Sequence, residues 1–165
     1  MVELPKRKRL RLEGYDYSRG GAYFITICTS NRKEILSEIV GDDDHGVPKT
    51  SLSYYGKMVD QYINSIETAY QNIIVEKYII MPNHVHIVIL IQQPENGTPW
   101  SSSPTDIPKI ISTFKHLTNK SCGFSMWQSH YYDHIIRDEE DYLRVCQYID
   151  ENPFKWLDDE YYQGC

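Results

Sequence analysis

Cysteine is scarce in this chain. The 165 residues include four, Cys28, Cys122, Cys146 and Cys165, and no two form a C-x-x-C pair. That argues against a disulfide framework or a thiolate zinc site and favours a reducing compartment, so a cytoplasmic location is the expectation. Long apolar runs are missing as well. The longest candidate, Ile87 to Ile91, is strand-sized and far short of the ~18 residues that span a bilayer. The N-terminus is charged with no apolar segment behind it, so no secretory signal is expected. Positive charge is also in short supply. The formal net charge is -6, which by itself disfavours indiscriminate binding to nucleic acid. The cations are nevertheless unevenly spread. Lys6, Arg7, Lys8, Arg9, Arg11 and Arg19 face only Glu3, Glu13 and Asp16 in residues 1–19, a local +3 against -9 for the remainder. A basic arm on an acidic body suggests local phosphate contact, or else simply a solvated tail.

What remains suits one globular domain over 20–165, preceded by the arm of 1–19. Apolar residues make up 41% and charged residues 24%, ordinary values for a folded domain. Ala22 to Thr29 is rich in β-branched and aromatic residues and predicts a first strand. Gly41 to Pro48 reads as a polar loop. Tyr54 to Tyr70 places Met58, Tyr62, Ile66 and Ala69 at helical intervals. Asn72 to Ile80 is a second strand, less cleanly alternating, and His84 to Gln92 a third after the Pro82-Asn83 turn. Pro94 to Pro108 is loop by its prolines and serines. A helix follows from about Pro108 to Lys120, then a strand over His130 to Ile136. A last helix is capped by Asp138, opened by Glu139, Glu140 and Asp141, and stopped near Asn152 by Pro153. The order predicts an α+β ferredoxin-like sandwich: an antiparallel sheet of four to five strands with helices packed on one face.

Two places carry chemistry. In His84-Val85-His86 the imidazoles lie two apart on a strand and share a face, while Val85, Ile87 and Ile89 point into the core. Such a pair suits one cation but does not choose among metals; two half-buried histidines bonded to loop groups would read the same way. In the last helix, Leu143, Cys146 and Ile149 define one side, and Tyr148 and Asn152, four apart, share an adjoining face. They offer a phenol and an amide oxygen to one pocket, the latter suited to magnesium or manganese. By spacing alone, the better reading is that Tyr148 is a boundary ring packed on its neighbours and Asn152 a C-terminal cap.

The ordered string of blocks narrows this. Gly20-Gly21-Ala22-Tyr23-Phe24-Ile25-Thr26, Met81-Pro82-Asn83-His84-Val85-His86, Met126-Trp127-Gln128, Tyr132-Asp133-His134-Ile135-Ile136-Arg137-Asp138 and Tyr148-Ile149-Asp150-Glu151-Asn152-Pro153 follow one another. Together they resemble the REP-associated tyrosine transposases, a branch of the HUH (His-hydrophobic-His) single-strand transposases of the IS200-like superfamily, over about residues 15–156. The resemblance implies that His84, His86 and Asn152 hold a divalent ion, Mg2+ or Mn2+, and that Tyr148 is the nucleophile. It implies an endonuclease and strand transferase that forms a 5′-phosphotyrosine on single-stranded DNA beside a palindromic hairpin, as in DNA transposition. Lys6, Arg7, Lys8, Arg9, Arg11, Lys109, Lys115 and Lys120 are then candidate backbone contacts, and Trp127 or a nearby tyrosine a stacking platform. The short Arg137-Asp138 link favours a monomer over a homodimer that exchanges helices. Two rivals stand beside this reading: a hairpin-binding regulator on the same fold that does not cut, and a metal-dependent hydrolase of small phosphoesters with a structural Tyr148.

Overall fold

The structure, a computed structural model, describes residues 20–41, 47–93 and 106–161. The basic arm, including Lys6, Arg7, Lys8, Arg9 and Arg11, lies outside the described residues, as does most of the loop before residue 106. In chain order the elements are β1 (Gly21–Cys28), β2 (Ser37–Val40), β3 (Lys49–Leu52), α1 (Tyr54–Ala69), β4 (Ile73–Ile80), β5 (His84–Ile91), α2 (Ile107–Cys122), β6 (Tyr132–Ile136) and α3 (Glu139–Glu151). Four strands form an antiparallel sheet in the order β4-β5-β1-β6, and β2 pairs with β3 as a separate hairpin. β1 crosses to β4 through α1, and β5 crosses to β6 through α2. These are the two interleaved strand-helix-strand units of a ferredoxin-like sandwich.

The sheet's two faces do different work because side chains alternate along each strand. Tyr23, Ile25 and Ile27 of β1 and Val85, Ile87, Ile89 and Ile91 of β5 meet Val59, Ile63 and Ile66 of α1 and Ile107, Ile110, Ile111 and Phe114 of α2 in the main core. The opposite face carries Phe24 and Val88, which pack on Val145 and Ile149 of α3. Helices therefore cover both faces: α1 and α2 lie on one, as expected, and α3 lies on the other. β5 is consequently apolar almost throughout, the pattern of a strand covered on both sides.

Sequence periodicity misplaced the rotation of α3. Leu143 is exposed and the buried stripe is Val145 and Ile149. These lie four apart, while Leu143 projects from nearly the opposite side, two residues before Val145. The rotation brings Tyr148 and Asn152 round toward the sheet. The β2–β3 hairpin flanking the polar loop was also unforeseen, its strands being short and mostly polar. In β4 the weak alternation has a local cause, a register shift between Val75 and Lys77.

Gly56 joins this hairpin to α1. The Ser53 hydroxyl accepts from the Gly56 amide at 3.1 Å and donates to the Ile35 carbonyl at 2.6 Å. A Cβ on Gly56 would lie 2.0 Å from the Leu36 carbonyl oxygen. Backbone cannot yield as a side chain does, so Gly56→Ala is expected to destabilise the protein by about 1–3 kcal/mol despite alanine's better helix propensity. A urea midpoint unchanged from wild type would show that the helix and hairpin are not locked there.

Candidate active site

β5 presents His84 and His86 on the face that α3 covers. The antiparallel pairing sets Thr26 opposite His86 and Cys28 opposite His84. Both imidazoles are buried, with 0% and 1% of their surface exposed. Their Nε2 atoms stand 3.0 Å apart. Nδ1 of His86 meets the Thr26 hydroxyl at 2.8 Å, and Nδ1 of His84 meets Asn83 Oδ1 at 2.8 Å. The Asn83 amide is oriented by its other bonds. Its Nδ2 donates to the carbonyls of Tyr161 at 2.8 Å and Arg32 at 3.3 Å. Carbonyls only accept, so Oδ1 is the atom facing His84, and Nδ1 of His84 carries the proton.

Burial pushes His84 down to about 3, helped by the Arg32 charge and opposed by the Asn152 side chain. Burial, then the neighbouring His84, holds His86 well below its ordinary range. Both rings are thus neutral at physiological pH and present lone pairs. The same shifts predict a stability profile. An unfolded imidazole takes up its proton near 6.5, whereas folded His84 does so only near 3. Between those values the unfolded state binds more protons, so stability falls as pH drops through that window. Urea midpoints measured in chelator should decline from about pH 7 to about pH 4. A flat profile would mean that these imidazoles are hydrated in the folded protein.

The last helix supplies the third and fourth groups. Asp138 caps it, its carboxylate accepting from the Asp141 amide at 2.8 Å. With Val145 and Ile149 seated on Phe24 and Val88, the Tyr148 ring comes within 5.2 Å of the His86 ring, centroid to centroid. It stands edge-on to Phe24 at 6.0 Å and is 37% exposed, open to solvent on one side. Burial and the Asp159 charge raise the phenol's pKa, while the Asn152 side chain opposes that shift. Asn152 itself is 2% exposed, borders both His84 and Tyr148, and leaves Oδ1 with no hydrogen-bond partner among the described residues. An orphaned buried oxygen is costly unless something occupies its lone pairs.

Two neutral imidazoles and an unpartnered amide oxygen make a donor set that suits a divalent cation. Among the described residues no three of His, Cys, Asp and Glu group as metal ligands. Cys28 shares the face, but burial pushes its thiol up to about 11, so it is not a thiolate.

The segment after α3 folds back over the histidines, which the sequence reading did not anticipate. The Trp156 ring lies 6.0 Å from His84, and the Tyr161 ring 4.6 Å from His84 and 6.1 Å from His86. Arg32 sits 5.1 Å over the Tyr161 ring and donates to the Glu160 carbonyl at 2.7 Å. Asn83, Thr26, Trp156 and Tyr161 thus join the site. The aromatic residues following Pro153 were the signal available for the last two.

Two of the proposed DNA contacts need correction. Trp127 is not a stacking platform: it is 5% exposed, packs on Phe114, and its indole N–H donates to the Thr118 hydroxyl at 2.7 Å. Lys115 is half-buried and already engaged, its ammonium bonded to the carbonyls of Gln128 at 2.8 Å and His130 at 3.0 Å. Lys109 and Lys120 are exposed on α2, across the sheet from the histidines, so any phosphate they meet is remote from that pair.

A ferredoxin-like sheet with a histidine pair on one strand and a tyrosine helix beside it defines the class, and comparison with known proteins narrows it. No family model matches the chain. It is 32% identical over 173 residues to a Haemophilus influenzae protein described as uncharacterized, spanning 94% of this chain and 93% of that one. A putative REP-associated tyrosine transposase of the same organism is 27% identical, over 85% of this chain and 74% of its own. The REP-associated tyrosine transposase of Escherichia coli (strain K12) is 26% identical, over 84% of this chain and 70% of its own. The chain is thus similar over most of its length to proteins named REP-associated tyrosine transposases. The solved structure of a REP-associated tyrosine transposase bound to a REP hairpin has the same fold, with a TM-score of 0.63 at 20% identity, covering 88% of this chain and 74% of that chain. No described helix is long and apolar enough to cross a membrane.

Proposed function

We propose that this protein is a divalent-metal-dependent endonuclease and strand transferase that cuts single-stranded DNA beside a hairpin, with Tyr148 as nucleophile. The observation that carries the reading is the convergence of His84, His86, Tyr148 and the unpartnered Asn152 oxygen at one face of the sheet. A monomer with the tyrosine in cis is proposed because only Arg137 and Asp138 separate β6 from α3, too short a link for helix exchange. The hairpin is proposed from what the structural relative holds.

An ion on His84, His86 and Asn152, Mg2+ or Mn2+, would supply electrophilic stabilisation of the scissile phosphate. The chain's own groups do the rest. The Tyr148 oxygen bonds to phosphorus as its proton passes to solvent, and the bond from phosphorus to the 3′ oxygen breaks, that oxygen taking a proton from solvent to leave as a hydroxyl. The product is a 5′-phosphotyrosine ester. The ester keeps the phosphodiester's bond energy, so a second 3′-hydroxyl can displace the phenol with no nucleotide cofactor. Asn152, beside the phenol, favours its ionised form against the effect of burial.

The test is direct. Wild-type protein with Mn2+ and a hairpin carrying a single-stranded flank should yield a protein–DNA adduct that survives denaturant and is lost in chelator. One observation favours the second reading, a hairpin binder that does not cut: the Trp156 and Tyr161 rings lie against His84. Hairpin binding with no adduct at any ion concentration would select it.

A further inference from the structure

We infer that Asn83 and Thr26 fix the two histidine tautomers unequally: Asn83 locks His84, while Thr26 lets His86 switch, so the pair accepts a cation by relocating a proton within one ring. The inference rests on the cation reading of the His84–His86 pair and says how this chain prepares it.

Two imidazole nitrogens 3.0 Å apart cannot both turn lone pairs on each other; a proton or a cation must lie between them. Asn83 decides which ring supplies that proton in the metal-free protein. Its amide is held by the Arg32 and Tyr161 carbonyls, so Oδ1 accepts from Nδ1 of His84 and leaves His84 Nε2 bare. The proton between the rings then belongs to Nε2 of His86. A neutral His86 so protonated has a bare Nδ1, and its partner there is a hydroxyl, the Thr26 Oγ1 at 2.8 Å. The result is a one-way chain: Thr26 donates to His86, His86 donates to His84, and His84 donates to Asn83.

A cation needs the Nε2 lone pairs of both rings. His84 already offers its own. For His86 the proton must leave Nε2 and a proton must arrive at Nδ1, by exchange with water and with no net proton lost from the ring. Asn83 could not tolerate such a reversal, since its Oδ1 only accepts. A hydroxyl tolerates it, because rotation turns Thr26 from donor into acceptor. Phe24, stacked on His86 at 5.1 Å and 29°, holds the ring in place while its protons move. Thr26 and Asn83 act through the histidines and are positioning residues.

Imidazole 15N–1H correlation spectra of the wild-type protein test the assignment directly. In chelator, His84 is expected as the Nδ1–H form and His86 as the Nε2–H form; on addition of Zn2+ as a diamagnetic probe, His86 should change to Nδ1–H and His84 should not. Thr26→Ser should behave as wild type. Thr26→Val, which keeps the shape and removes the hydroxyl, should bind Mn2+ about 10–100-fold more weakly by electron paramagnetic resonance of the free ion. Asn83→Leu should let His84 take the other tautomer; if that variant does not fold, the threonine pair still decides. A metal-free His86 already in the Nδ1–H form, or equal Mn2+ affinity in Thr26→Val and wild type, would overturn the inference. Wild type that takes up neither Mn2+ nor Zn2+ would instead sink the cation reading, and the metal-free spectrum would still report on Asn83.

Discussion

Tyr148→Phe is expected to bind a hairpin substrate as wild type does and to form no covalent adduct, a loss of at least about 10³-fold in strand cleavage. The substitution removes one oxygen and leaves the ring. The contacts that ring makes, at 5.2 Å to His86 and 6.0 Å edge-on to Phe24, survive, so stability should move by less than about 1 kcal/mol. A gel in denaturant resolves the adduct, and mobility shift of an uncut hairpin reports binding. Persistent adduct would place the nucleophile elsewhere. The Tyr161 ring, 4.6 Å from His84, would be examined next.

His86→Ala should abolish adduct formation to a similar degree and weaken Mn2+ binding by at least about 100-fold, because one of two nitrogen donors is gone. Its structural effect is larger than that of the tyrosine variant. The ring is buried, accepts or donates at Thr26, and supports both Phe24 and Tyr148. Emptying that space should cost about 2–4 kcal/mol, so hairpin binding well below the melting temperature serves as the control for folding. Full cleavage by this variant in chelator would remove the metal from the mechanism and return Tyr148 to a packing role.

Much of the architecture was legible because local patterns and tertiary needs agreed. The strands at β1, β5 and β6 and the helices α1, α2 and α3 lie within a few residues of their expected bounds. Capping chemistry helped at α3, where Asp138 accepts from the amide three residues on at 2.8 Å. Where the patterns were weak the reading failed. Short polar strands such as β2 and β3 have no periodicity to betray them, and Leu143 looked like core because a helix with several apolar residues has more than one candidate stripe. Trp127 and Lys115 were assigned to DNA by residue type alone. Each is instead held by groups distant in sequence or on another element, Thr118 and Phe114 for the first and the carbonyls of residues 128 and 130 for the second.

The sequence by itself determined the strand that pairs two imidazoles on one face, the helix that puts a phenol and an amide one turn apart, and the family that both resemble. Alternation and helical pitch are local and survive without knowledge of the partner surface. Only the tertiary structure decided that α3 lies on the histidine face, that Asn83 and Thr26 back the two rings, and that Trp156 and Tyr161 close over them. Those outcomes depend on which buried surfaces meet and which polar atoms must be satisfied, quantities that belong to the packed chain and not to any segment of it.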